Sequence, residues 1–250
     1  MPSGLACSKR TRVRTDRPSQ ARILFDEARI VPRPRPTPEG LKTPRAAAVA
    51  GILFSVLLLL AILLILQTLR LHPRDPGEWL GAQAWKVALA LNLIPFAGIA
   101  FLWFMGVLRD RMGAQEHKLF ATVFLGSGLL FIAMLFIAAA AIGAILITHG
   151  ALPRELTGSV TFMLARAFAY NLTSIYALKV ASVFLLTAST IVLRTGITGR
   201  WTAFVGYAAA AFLLIGSHAV DGAFLVFPVW VLLVSIDILL REFAHKDGAP

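Results

Sequence analysis

The chain is poor in charge, nearly without cysteine and short of acids. Only 15% of its 250 residues are charged, where soluble domains carry roughly a quarter. Its single cysteine, Cys7, cannot close an internal disulfide or build a thiolate metal site, which removes disulfide oxidoreductases, iron–sulfur proteins and zinc ribbons. No phosphate-binding Walker loop and no dinucleotide fingerprint is present, so no cofactor is expected. Acids number 13 against 24 lysines and arginines, giving a net charge of +11. In a soluble domain that excess would suggest nucleic acid. Here 11 of the cations lie in the first 45 residues, and most of the others flank long uncharged runs. They read as flank charges of membrane helices, and no nucleic-acid partner is expected.

What the chain has in quantity is apolar sequence, 58% of all residues. Residues 1–45 are predicted to be a disordered basic cytoplasmic tail. The run Pro32-Arg33-Pro34-Arg35-Pro36 blocks helix interiors, and high charge with little apolar content cannot build a core. Residues 46–241 then read as an all-α integral membrane bundle of about six transmembrane helices. The expected spans are 46–69, 87–108, 119–148, 168–193, 201–217 and 222–240, with a short tail at 242–250. Each holds about 20 apolar residues, enough to cross a hydrocarbon core of about 30 Å. The apolar runs are continuous and not alternating, which excludes a β-barrel. Pro95 is expected to kink the second span, with Asn92 supporting the kink or bonding across helices.

With a cytoplasmic N-terminus, the inner segments carry 18 Lys and Arg and the outer loops five. Without the tail the split is seven to five, still tipped inward by Arg35, Lys42 and Arg45 beside the first span. The expectation is a multi-pass protein of the plasma (inner) membrane, both termini cytoplasmic. In general character the chain resembles multi-pass bacterial inner-membrane proteins, without pointing to a named family.

Lys179 is the sharpest candidate. It interrupts the fourth span, and a charge in mid-bilayer costs about 2.5–3.5 kcal/mol on insertion scales. Asn171, Ser174 and Ser182, with Ser189, fall on one side of its helix at 100° per residue, with Lys179 at the edge. Such a stripe faces protein or water, serving a relay, a substrate anchor or helix–helix bonding. Asp237 is the expected partner: Lys179 stands roughly 16 Å and Asp237 roughly 22 Å from the outer ends of their helices, a difference a lysine side chain spans.

His72, His149, His218 and Asp221 form a weaker outer-face set, since imidazole and carboxylate suit zinc and related ions. No paired-histidine spacing accompanies them, and no metal is expected. Gly126-Ser127-Gly128 resembles the Gly-x-Ser-Gly of rhomboid intramembrane proteases, but Leu125 stands where the first glycine belongs. No base is placed within reach of Ser127, so small residues at a helix contact explain the run better. Ala138 to Ala141 with Gly143, and Ala208 to Ala211, read likewise as close-approach surfaces.

Function narrows to three readings. The first is a structural or assembly component of a membrane complex, in contact with lipids and with copies of itself or other membrane subunits. The second is a small transporter or ion-coupled carrier with a polar path around Lys179. The third is a membrane-embedded enzyme, which no converging nucleophile and base supports.

Overall fold

A run that is apolar on every side makes a helix only where its surroundings are apolar too. The computed structural model describes residues 44–68, 79–110, 118–152, 156, 158–196, 198–216 and 222–247, all within one compact unit, Leu41–Pro250. Helix α1 is Pro44–Thr68 and α2 is Ala84–Asp110, the latter preceded by a single turn at Trp79–Ala82. Helix α3 is Lys118–Ala151, about 51 Å long at 1.5 Å per residue. Helix α4 runs Val160–Thr195, with a π-helical turn at Leu172–Ala177. Helix α5 is Arg200–Gly216 and ends in a second π turn, Phe212–Gly216. A 3-10 turn, Ala223–Leu225, opens α6, Val226–Asp247. No strand occurs among the described residues.

The chain is therefore an all-α membrane bundle. Five of its helices are long and apolar enough to cross a bilayer, and α5 is a shorter apolar helix. Several boundaries differ from the expected ones. The tail region 1–43 lies outside the described residues, but Pro44 and Arg45 already belong to α1. The last helix continues past residue 241 to Asp247. The largest difference is in α4, which starts at Val160 and not near Phe168. Ser159 caps it, the hydroxyl accepting from Phe162 N at 3.2 Å. At its other end Gly196 adopts φ +64° and its N–H returns to Val192 O at 3.1 Å, a left-handed stop that a side chain would strain. Asn92 bonds the Ala88 carbonyl of its own helix at 2.8 Å and does not reach across.

The core is a set of phenylalanines. Phe54 of α1, Phe101 of α2, Phe131 of α3, Phe184 of α4 and Phe227 of α6 are all buried. Phe54–Phe101 and Phe131–Phe227 stand 4.5 Å apart at their ring centres, Phe101–Phe184 5.1 Å. Lipid tails are as apolar as these rings, so cohesion rests on close packing and not on escape from water. Favourable ring pairs each add about 0.5–1.5 kcal/mol.

Contacts fix the relative heights of the helices. At one end Arg45 lies 3.9 Å from Glu242, Arg194 stacks over Phe120, and Asp237 accepts from Gly199 N. This is the charged end. From there α6 runs antiparallel to α1: the Ser235 side chain sits against Gly51, and Phe227 faces Phe54. The 3-10 turn that opens α6 consequently stands near Leu58, while α1 continues to Thr68, about 15 Å further. Helix α4 reaches past Lys179 to Val160, about 28 Å further. Among the described residues, six helices pack at the charged end and four, α1 to α4, at the other.

Candidate functional site

Lys179 sits two residues beyond the π turn of α4, half-buried, and its Nζ donates to the main-chain carbonyl of Leu214. Leu214 lies in the π turn that ends α5. The last carbonyls of a helix have no partner within it and carry the negative end of its dipole. An ammonium placed there both bonds an orphan acceptor and meets complementary charge. Helix geometry prepares the contact, because side chains lean toward their own N-terminus, which for α4 is the end away from the charged ring. Beside it, the Ser182 hydroxyl donates to the Lys179 carbonyl at 2.6 Å.

Asp237 is not brought to Lys179. It accepts from Gly199 N at 2.7 Å and from Arg241 Nε at 3.0 Å, at the charged end. Gly199 and Leu214 bracket α5, so the two groups act at opposite ends of that helix, about 22 Å apart. Depth arithmetic pairs them because it takes the outer ends of α4 and α6 to be level, whereas α6 begins near the height of Leu58 and α4 reaches well past it. Among residues with described side chains the carboxylates are Asp237 and Glu242, both at the charged end, so Lys179 has no acid–base partner there.

The polar stripe of α4 is divided. Ser182 and Ser189 are buried, whereas Asn171 is exposed and bonds its own helix at Ala167 O. Ser174 is half-buried within the π turn. The extra residue that a π turn inserts shifts the phase of everything before it, so a uniform 100° step does not carry across it. Of the weaker set, His149 is half-buried in the last turn of α3, and His72, His218 and Asp221 lie outside the described residues. No group of three metal-ligating side chains occurs among the described residues. The Ser127 hydroxyl is spent on its own helix, donating to Val123 O at 2.7 Å.

Two features escape the sequence reading. Arg166, counted there with an outer loop, is 7% exposed inside α4, its guanidinium 5.4 Å from the centre of the Phe162 ring. The start signal was present: Gly158 and Ser159 precede the periodic run, a cap followed by a helix. The Leu214 carbonyl carries no signal at all, since a main-chain acceptor is the same in every residue.

No family model, curated protein or solved structure matches this chain. Function is therefore argued from the geometry alone.

Proposed function

We propose that this chain is a structural or assembly subunit of a larger membrane complex, and not a transporter or an enzyme. In this reading it crosses a plasma (inner) membrane six times with both termini in the cytoplasm. Supporting observation: the one charge expected in mid-membrane is committed within the fold, on the Leu214 carbonyl. A conducting path calls for further ionisable groups along it. The described carboxylates stand about 22 Å away at the charged end.

Lys179→Met tests the reading. Losing a charge-assisted bond costs about 1.5–3 kcal/mol, and relieving a desolvated ammonium returns much of that, so the net change is expected within about 1 kcal/mol. Lys179→Glu sets a carboxylate against the carbonyl end of α5 and is expected to cost about 2 kcal/mol. Unfolding in detergent measures both. The full-length protein, tagged in its own membrane, is expected to co-purify with a constant partner, and Lys179→Met to keep it. A protein that purifies alone, moves ions in liposomes and loses that activity in Lys179→Met would replace this proposal with the transporter reading. The two π turns flanking Lys179 are the observation that keeps that second reading in view, since π turns recur at functional sites.

Orientation has its own test. Reporter fusions after Arg111, Gly199 and Pro250 are expected to read cytoplasmic, and fusions after Arg74 and Arg154 external. An external reading at Arg111 or Pro250 would reverse the assignment.

A further inference from the structure

Helices α5 and α6 stop short of α1 to α4, and among the described residues the space above them is not filled. A cavity of about 80 Å³ lies there, bounded by Ile65 of α1, Leu91 of α2, Ala138 of α3, Thr173 and Leu178 of α4, and Phe224 of the 3-10 turn that opens α6. Alanines make the room. Ala61, Ala138, Ala139 and Ala169 line the wall from three helices, so part of the alanine run borders open space.

We infer that this cavity binds one hydrocarbon chain of a membrane lipid, entering sideways between α1 and α4. Chemistry, access and shape each point to it. Thr173 supplies the one polar side chain of the lining, and its hydroxyl already donates to Ala169 O at 2.8 Å. A buried water needs two to four polar partners, and this wall offers only the acceptor side of the Thr173 hydroxyl, so water is disfavoured.

Helix α1 packs on α2 and α6, while α4 packs on α3 and α5. At the charged end α5 and α6 separate α1 from α4. Beyond the described ends of α5 and α6, neither of these helices lies between them. Leu66 both lines the cavity and is 40% exposed, which marks the open side. At that height the opening faces the membrane.

Along α3 the lining runs from Phe131 to Ile142, about 16 Å, so the cavity is long and parallel to the helices. A helix with its side chains is about 10–12 Å wide and does not fit a space this narrow, which excludes a second copy or a partner span. A volume of about 80 Å³ admits the terminal segment of a single alkyl chain and nothing wider.

This assignment is independent of the subunit role. A phosphatidylcholine with a photoreactive diazirine in its acyl chain tests it, with the full-length protein in nanodiscs of that lipid and crosslinks mapped by mass spectrometry. Label is expected on Thr173, Leu178 and Phe224, besides exposed surface positions such as Phe96 and Trp103. Ala138→Phe fills the cavity, and Ala61→Leu narrows it from the opposite wall. Each is expected to abolish label on Thr173 and Leu178 while leaving Phe96 and Trp103 labelled, which also reports that the fold persists. Label confined to Phe96, Trp103 and other exposed positions in the unaltered protein would overturn the inference. So would cavity label that persists in Ala138→Phe, the surface label being retained.

Discussion

Gly206→Val is expected to lower stability by about 3 kcal/mol or more, one of the largest single losses available in this fold. Gly206 lies on the buried face of α5, where α4 and α6 both press against it. A Cβ added there would overlap the Ser189 hydroxyl and come within 2.6 Å of Trp230 Nε1 and 2.8 Å of its Cε2. Neither neighbour can retreat easily. Ser189 is fully buried, and Trp230 is held by its own bond, Nε1 donating to Thr202 O at 3.1 Å. Overpacking costs about 1–3 kcal/mol, and freeing the buried indole N–H or the Thr202 carbonyl adds about 1–3 kcal/mol. Gly126→Ala is the matched control. Nothing lies within 4 Å of a Cβ at Gly126, so that change is expected to stabilise α3 by about 0.5–1 kcal/mol through helix propensity. Denaturant titration in one detergent compares the two. Equal effects would mean that α5 does not pack as closely as Gly206 requires.

The contrast between Gly206 and Gly126 marks the limit of what the sequence carries. The all-α membrane bundle is legible, because about 20 apolar residues in a row have one solution in a bilayer. The burial of one glycine and exposure of another are not, since both sit in equally apolar surroundings in the chain. Lys179 stands out in the sequence for the same reason that the spans do: charge is scarce there. Its partner does not, because the carbonyl of Leu214 is a backbone group exposed by where α5 ends. The cavity is illegible for a related reason. It follows from α5 and α6 stopping short of α1 to α4 among the described residues, a difference seen only once relative heights are known. Arg166 was legible in principle, through the cap at Ser159, but the apolar count alone starts the span too late.

Asp237→Ala is expected to cost about 2 kcal/mol and to act on the start of α5, not on Lys179. The Asp237 carboxylate is 16% exposed and accepts from Gly199 N at 2.7 Å. Gly199 is the N-cap of α5 and has no side chain with which to bond the free N–H groups of the first turn. A carboxylate from α6 supplies negative charge at that positive helix end and ties the α4–α5 connection to α6. Asp237→Asn keeps an oxygen for Gly199 N but loses the charge, so it is expected to cost less than half as much. Arg241→Ala is expected to cost no more than about 1 kcal/mol, because the arginine is half exposed and its pair is screened. The combination with Lys179→Met is decisive. Groups about 22 Å apart with no shared partner should add within about 0.5 kcal/mol. A double-mutant cycle in detergent measures that sum. A coupling well above this figure would mean that Asp237 and Lys179 communicate through the membrane, and would favour the transporter reading.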